Sequence, residues 1–454
     1  MVVPLLLPAD SALLSFLSKR KAGNHSPLRP AESTFNALGS SLAQSMNGTR
    51  RAEDPFGGID MQAMVKNANL TASLNGPGSP MHSWSGDGEI MADFDPSGRV
   101  HVNDYEYQNR DPVTSPYYVT NEQVKGREGT PGLRATDAVL NAYASALQRV
   151  QTMDVKKIFD ANDPRQYMIF IAADGTRNDA NQAIPTNPRT LYQLADTSGN
   201  RNVFPIYVSG VGTENDLGGL NSALGLGAQL QISQTVSNIN NVVNEIIKND
   251  PEARFVFADT GFSRGSGVIR AVQNILVQQG VPDFRSSYEA MDGETTKVAY
   301  RDNIIDPGKV NIGASLIYDT VQTGTLDLMN TRIPSQVQQT LHLTAANEYR
   351  TFFPLTSALR SVGTSNSSIV EWSLPGAHTN LGGGSYDMNG IGAANLEIGY
   401  TYLQRVGVPL APLPSNRLPD PSQFVIYDSR FTKDVPFGQL VNNPNVHRVI
   451  KYSK

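Results

Sequence analysis

The stretch Arg254-Phe-Val-Phe-Ala-Asp-Thr-Gly-Phe-Ser-Arg-Gly265 decides the fold class of this chain. It begins as an apolar segment typical of a buried strand and ends in a G-x-S-x-G motif. Apolar residues then recur at helical spacing, at Val268, Ile269, Val272, Ile275 and Leu276. The pattern predicts a strand, a sharp turn and a helix in direct succession, with Ser263 at the turn.

The two glycines of the motif permit such a turn. Gly261 and Gly265 carry no Cβ atom, so the strand and the helix can approach closely on either side of the serine. The turn strains the backbone of Ser263 and lifts its hydroxyl clear of the sheet, and the helix N-terminus behind it favours negative charge. We therefore predict that Ser263 is a nucleophile. The alternative is a glycine-rich turn in which the serine only caps the helix.

Strand and helix patterns alternate on both sides of this unit. Tyr167–Ala173 is a continuous apolar run, which is typical of a strand buried on both faces. Further strands are predicted at Val203–Val208, Val310–Tyr318, Ser368–Leu374 and Phe424–Tyr427, and helices at Thr136–Ile158, Thr190–Ala195, Thr235–Ile247 and Ala393–Val406. This alternation predicts an α/β fold with a mostly parallel central sheet and helices on both faces.

The chain divides into two regions of different character. Glycine, proline, asparagine and serine punctuate residues 1–130, which we predict to be an irregular N-terminal region with a possible docking or delivery role. Residues 131–454 carry the regular patterns and are predicted to form the catalytic domain. The length of 454 residues is enough for that domain to bury a sizeable core.

Composition excludes several classes of function. The chain has no cysteine, so thiol nucleophiles, disulfides and thiolate metal sites are ruled out. Its net charge of −5 comes without a basic stripe, which argues against nucleic acid as a partner. No apolar run is long enough to predict a membrane span. The basic segment 19–21 follows the apolar Met1–Pro8 instead of preceding it, so no cleavable secretory signal is expected.

A serine nucleophile needs a general base, and three histidines follow Ser263 in the chain. His378 comes directly after a predicted strand, in a glycine-rich segment that allows close approach of a substrate. His342 lies in an apolar pattern typical of a structural histidine, and His447 lies near the C-terminus. We predict His378 as the base, and the alternative is a loop histidine satisfied by local backbone groups.

The base needs an orienting carboxylate, which in α/β-hydrolases lies between the serine and the histidine in chain order. Asp319 directly follows the predicted strand Val310–Tyr318. A carboxylate at the carboxyl end of a buried parallel strand points into the crevice where such sheets hold ligands. We predict Asp319 as the acid, with Asp387 and Asp428 as alternatives.

Two backbone amides are expected to form an oxyanion hole. One belongs to Arg264, the residue after the serine, and the other comes from a loop after an earlier strand. Gly175 and Thr176 follow the predicted strand Tyr167–Ala173 and are the candidates for the second amide. Asp174, the preceding residue, is expected to brace this loop.

With these segments placed, the chain resembles an uncharacterised α/β-hydrolase domain family that includes the type VI secretion phospholipase effectors of the Tle class. Five segments, between about residues 160 and 430, match its motifs in order. They are Ile171–Asp179 (D-G-T-x-N-D), Tyr207–Thr213 (G-V-G-T), Gly261–Arg270 (G-F-S-R-G), Ile317–Val321 (W-D-T-V) and Pro375–Gly384 (P-G-x-H-S-D-x-G-G-G). The chain departs from the family pattern at Thr379-Asn380, Asn347 and Tyr318.

The resemblance implies the same triad that the residues predict, namely Ser263, Asp319 and His378. It implies a serine esterase or lipase that hydrolyses phospholipid acyl esters as an antibacterial effector. It further implies export by a secretion machine, action in the periplasm or at the membrane of a target cell, and a neutralising immunity protein. Because the N-terminal residues predict no cleavable signal, export is expected to use a route that needs none. Triad chemistry requires no metal or cofactor.

Two other functions stay open from the residues alone. A short-chain esterase or thioesterase would use the same triad, and a non-catalytic binding module could use the same scaffold. A lipase also needs an apolar cleft and often a lid, for which Leu217–Leu230 and Asp283–Lys309 are candidates.

Overall fold

The computed structural model describes residues 132–452, except for 177, 179–182, 211–226, 293–294, 324–325, 327–328, 351–352, 360–367, 385–389, 428–432, 435–438 and 441–449. The irregular region predicted for residues 1–130 lies outside this part of the chain. So do His447 and the two alternative acids, Asp387 and Asp428.

A six-stranded parallel sheet forms the centre of the described structure. Its strands are β2 (Gln166–Ala173), β3 (Val203–Val208), β4 (Arg254–Phe262), β9 (Ile312–Tyr318), β10 (Gln339–Ala345) and β12 (Ser368–Leu374). They stand in the order β3-β2-β4-β9-β10-β12, and every neighbouring pair is parallel. The predicted α/β architecture is therefore confirmed, with all six carboxyl ends at one edge of the sheet.

Helices cover both faces of this sheet. The helices are α1 (Asp137–Thr152), α2 (Asn187–Asp196), α3 (Ala228–Asn249), α4 (Arg264–Gln279), α5 (His378–Gly382) and α6 (Gly390–Arg405). Buried side chains of α1, α2 and α6 pack with one face of the central strands, and those of α3 and α4 pack with the other face. None of the described helices combines the length and the apolar character that crossing a membrane requires.

Short strands form small two-stranded sheets around the central one. They are β1 (Gly132–Arg134), β5 (Val281–Pro282), β6 (Ser287–Asp292), β7 (Thr295–Tyr300), β8 (Asn303–Ile305), β11 (Leu355–Ser357), β13 (Val425–Tyr427), β14 (Lys433–Asp434), β15 (Gln439–Leu440) and β16 (Ile450–Tyr452). The β6–β7 hairpin lies in the first part of the segment that the sequence offers as a lid. It lies in the chain between the C-terminal end of α4 and the start of β9.

The structure extends several predicted elements for local reasons. Helix α2 begins at Asn187 because the side chain of Thr186 accepts the Arg189 backbone N–H and Pro188 suits the first turn. Strand β4 continues to Phe262, four residues beyond the predicted apolar run, because it pairs with β9 up to Tyr318. Strand β10 is an additional central strand, and it contains His342.

Candidate active site

The turn at Ser263 has the strained geometry that the motif predicts. Ser263 joins β4 to α4 with φ 58° and ψ −127°, a left-handed conformation that non-glycine residues rarely adopt. A Cβ atom at position 261 would lie 2.8 Å from the backbone of Ser266, and one at position 265 would overlap the carbonyl of Asp174. Both glycines of the motif are therefore required by close backbone packing.

The predicted acid lies at the carboxyl end of β9, the strand that pairs directly with the elbow strand β4. Asp319 is fully buried and has φ 43°, so its backbone is also left-handed. One carboxylate oxygen accepts the Ala345 backbone N–H at 2.8 Å. The other lies 2.5 Å from Nδ1 of His378, a short hydrogen bond of the charge-assisted type.

The predicted base is the first residue of α5, directly after the carboxyl end of β12. The imidazole of His378 is 4% exposed and is packed between two phenylalanine rings. The ring centroid of Phe262 lies 4.6 Å away and that of Phe353 4.9 Å away, the latter edge-on. The backbone N–H of His378 donates to a carboxylate oxygen of Glu348 at 3.2 Å. Packing and hydrogen bonds thus fix both the ring and the backbone.

These contacts bring the three predicted triad residues to one place. The backbone N–H of Ser263 donates to the carbonyl of Tyr318, the residue before Asp319, at 2.9 Å. The ring of Phe262, the residue before the serine, packs against the imidazole at a tilt of 36°. Within the described part of the chain, Nε2 of His378 is buried and makes no hydrogen bond. The structure therefore joins the acid and the base directly, and joins each to the serine through an adjacent residue.

The surroundings of His378 favour its neutral form. Burial lowers the pKa of the imidazole, and this effect outweighs the opposite influence of the Asp319 hydrogen bond and of the Asp319 and Glu348 charges. A neutral imidazole whose Nδ1 proton is held by Asp319 presents Nε2 as a proton acceptor. The arrangement is therefore chemically capable of general base catalysis.

The residues predicted to supply oxyanion donors lie beside the elbow. The guanidinium of Arg264 donates to the Thr176 hydroxyl at 2.8 Å and to the Thr323 hydroxyl at 3.0 Å. A Cβ atom at Gly175 would lie 2.8 Å from the ring of Phe262. The loop after β2 and the N-terminus of α4 are therefore in direct contact, as two cooperating amide donors require.

Asp174 braces this loop from behind. Its buried carboxylate accepts the Tyr207 hydroxyl at 2.5 Å and also accepts the hydroxyl of Thr186, the residue that caps α2. The contacts tie the end of β2 to β3 and α2. This is the bracing role expected from the sequence.

Sequence reasoning did not identify the groups that surround the imidazole. Phe353 and Glu348 come from the segment after β10, and Arg350 forms a bidentate ion pair with the buried Glu348 at 2.7 and 2.8 Å. The Arg350 guanidinium also lies 3.6 Å from the centroid of the Phe353 ring. Their spacing in the sequence carries no recognised motif, and only the unpredicted strand β10 brings them to the site.

No curated protein matches the chain. Among solved structures, an uncharacterized protein from Pseudomonas aeruginosa is 19% identical over 66% of this chain and 53% of its own, with a TM-score of 0.38. The Tle1 effector bound to the VgrG spike of the type 6 secretion system is 18% identical over 51% of this chain and 52% of its own, with a TM-score of 0.33. A lipase/esterase from Lactobacillus plantarum is 13% identical over 56% of this chain and 91% of its own, with a TM-score of 0.29.

The first two of these similarities span only about half the length of the matched proteins. The family comparison is more extensive. The profile of the T6SS phospholipase effector Tle1-like catalytic domain matches residues 168–400, a range that includes β2, the elbow, Asp319 and His378. The chain therefore belongs to the family of Tle1-like catalytic domains of type VI secretion system phospholipase effectors.

Proposed function

We propose that this protein is a serine esterase that hydrolyses acyl esters of phospholipids with the triad Ser263, Asp319 and His378. One observation carries the proposal: a buried carboxylate–imidazole pair is joined at 2.5 Å, and residues adjacent to Ser263 contact it, while Ser263 itself is held at φ 58° between a central strand and a helix. Structural serines and histidines rarely need this combination of strain, burial and pairing.

The reaction follows from the geometry in two stages. Nε2 of His378 takes the hydroxyl proton of Ser263 while the oxygen attacks the ester carbonyl carbon. The tetrahedral intermediate collapses, the leaving alcohol takes the proton from the imidazolium, and an acyl-serine ester remains. Water then attacks this ester, again losing its proton to Nε2, and releases the fatty acid and the free serine. Asp319 stays ionised and stabilises the imidazolium at each stage.

The negative charge of both tetrahedral intermediates falls beside the N-terminus of α4. In the proposal, the backbone amide of Arg264 supplies one donor and that of Gly175 or Thr176 supplies the second. Loss of one such donor typically lowers kcat by about 100- to 1,000-fold. The contact between Arg264 and Thr176 supports this pairing of the two segments.

The family assignment supports the phospholipid substrate and the biological role. We propose that a type VI secretion system exports the protein, that its target is the membrane or periplasm of a competing bacterium, and that the producing cell holds an immunity protein. A spike component is the proposed carrier, since the Tle1 structure similar to this chain contains a VgrG spike. The proposed catalytic domain comprises residues 131–454, and residues 1–130 are the proposed docking region.

Lipid mass spectrometry tests the reaction. Purified protein is incubated with phosphatidylethanolamine–phosphatidylglycerol vesicles, and lysophospholipid and free fatty acid are the expected products. Ser263→Ala should abolish them. Ser373→Ala is the matched control, because Ser373 is a buried serine of β12 whose hydroxyl makes no hydrogen bond within the described residues.

Each other outcome decides against part of the proposal. Equal lipid turnover by wild type and Ser263→Ala would remove the serine mechanism. Hydrolysis of a soluble short-chain ester without any hydrolysis of vesicles would favour a short-chain esterase. Absence of both activities in folded protein would favour a binding module.

A further inference from the structure

A second histidine–carboxylate pair lies behind the first. Nδ1 of His342 on β10 is 2.9 Å from a carboxylate oxygen of Glu371 on β12, and both side chains are fully buried. The two residues are direct neighbours in the register of the parallel strands. The triad proposed above does not use either residue.

Further donors hold the carboxyl group of Glu371 in place. The same carboxylate oxygen accepts the Ser357 hydroxyl at 2.9 Å and the Ala358 backbone N–H at 2.8 Å. One buried oxygen of Glu371 therefore accepts hydrogen bonds from three donors, and loss of a partner from such a buried polar group is costly. Glu371 is therefore a fixed acceptor for the Nδ1 proton of His342.

The other ring nitrogen of His342 fixes the tautomer. Nε2 lies 3.2 Å from the backbone nitrogen of Thr320 and 3.2 Å from the hydroxyl oxygen of the same residue. A backbone N–H can only donate, so Nε2 must be the unprotonated acceptor and Nδ1 must carry the hydrogen. The imidazole is a neutral bridge from Glu371 to the backbone of Thr320.

Thr320 directly follows the proposed catalytic acid. The left-handed φ of 43° at Asp319 costs free energy that surrounding contacts must supply. Backbone groups of this segment make three hydrogen bonds. Two are to other backbone groups: the Asp319 N–H donates to the Leu343 carbonyl at 2.7 Å, and the Thr320 carbonyl accepts the Thr356 N–H at 2.9 Å. In the third, the Thr320 N–H donates to Nε2 of His342. Of these three hydrogen bonds, only the one to His342 depends on a side chain.

We propose that His342 and Glu371 are positioning residues for the triad. The pair holds the Asp319–Thr320 peptide so that the Asp319 carboxylate reaches Nδ1 of His378. The inference rests on the proposed hydrolase function, and it assigns a catalytic consequence to a histidine that the sequence pattern classes as structural.

The test compares two substitutions at His342 in the full-length protein. His342→Leu removes the acceptor for the Thr320 N–H, whereas His342→Gln keeps an oxygen within reach of it. We expect His342→Leu to lower kcat for a chromogenic ester by about 10- to 100-fold with KM unchanged, the scale of a catalytic group displaced by about 1 Å. His342→Gln should recover most of the loss. Leu341→Ala is the control, since it disturbs the packing of the same strand on its other face and should lower Tm without lowering kcat.

A double-mutant cycle distinguishes positioning from a general loss of structure. In an Asp319→Ala background no catalytic carboxylate remains to be positioned, so His342→Leu should have little further effect on kcat. The rate of serine labelling by a fluorophosphonate gives the same comparison for slow variants. If His342→Leu does not fold, Glu371→Gln replaces it in the cycle, because a carboxamide oxygen cannot serve all three donors equally.

The outcomes separate this inference from the proposed function. Wild-type kcat in folded His342→Leu, or an equal loss of kcat in the native and Asp319→Ala backgrounds, would overturn the positioning role while leaving the hydrolase intact. Full activity of Ser263→Ala would instead remove the function on which the inference rests.

Discussion

A buried aspartate in the elbow strand should make this protein less stable as the pH rises. Asp259 on β4 is 2% exposed, and burial raises the pKa of its carboxyl from 3.8 to about 7, against the opposing effect of hydrogen bonds from Gln273 and Ser315. Below about pH 4 the carboxyl is protonated in both the folded and the unfolded chain. As the pH rises towards 7 the unfolded chain releases this proton first, so stability is lost across that range.

The magnitude follows from the distance between the two pKa values. The pKa of Asp259 is roughly three units higher in the folded chain than in the unfolded chain, and each unit corresponds to about 1.4 kcal/mol. Ionisation of Asp259 therefore lowers the free energy of unfolding by about 4 kcal/mol above pH 7. Asp259→Asn removes the charge at nearly constant volume. Gln273 can rotate its amide to meet the new side chain, because its oxygen is buried and makes no hydrogen bond within the described residues.

Urea unfolding between pH 4.5 and 8.5 measures the effect. We expect the difference in unfolding free energy between Asp259→Asn and wild type to increase with pH and to level off near pH 8, with the variant the more stable. Asp306→Asn, at an exposed aspartate, is the control and should leave the pH profile unchanged. Parallel profiles for Asp259→Asn and wild type would refute the raised pKa of Asp259.

Three further predictions concern the site and its support. Gly382→Ala would place a methyl group against the ring of Phe262, which packs on the imidazole of His378. The displaced imidazole should lower kcat for an ester by about 10- to 100-fold, and an unchanged kcat would exclude a role for this packing. Burial lowers the pKa of His378, and the base must be neutral, so the acidic limb of kcat/KM should have its midpoint below pH 6.5; a midpoint above that value would contradict the assigned environment. Arg270 is fully buried on α4 and donates to three backbone carbonyls, so Arg270→Met should destabilise the fold by about 3 kcal/mol, and a thermal unfolding midpoint equal to that of wild type would count against it.

Much of the architecture and the candidate triad could be predicted from the sequence because both depend on local signals. Continuous apolar runs mark strands that are buried on both faces, and a G-x-S-x-G motif between a strand and a helix requires one backbone conformation. Once the sheet is parallel, its carboxyl ends share an edge, so Asp319 and His378 can be assigned to the neighbourhood of Ser263 from their position after predicted strands.

Strand β10 escaped prediction because it does not look like a buried strand. Gln339, Thr340, His342 and Thr344 interrupt its apolar residues, yet the whole strand is buried. His342 and Thr344 bond to Glu371 and Trp372 of β12, and Gln339 bonds to the backbone of Lys156, so most of these polar groups are satisfied by partners that are distant in the chain. A local sequence pattern cannot show that a polar side chain will find such a distant hydrogen-bond partner.

Sequence alone determined most of the helices and strands, β10 excepted, and the chemistry available at their ends, since backbone preference and hydrophobic periodicity act over a few residues. Only the tertiary structure decided which groups meet: the 2.5 Å contact of Asp319 with His378, the two aromatic rings around that imidazole, and the His342–Glu371 pair behind the acid. Each of these contacts joins residues that are at least 25 positions apart in the chain. Their geometry follows from the order and register of the strands, which are set by the packing of the whole core.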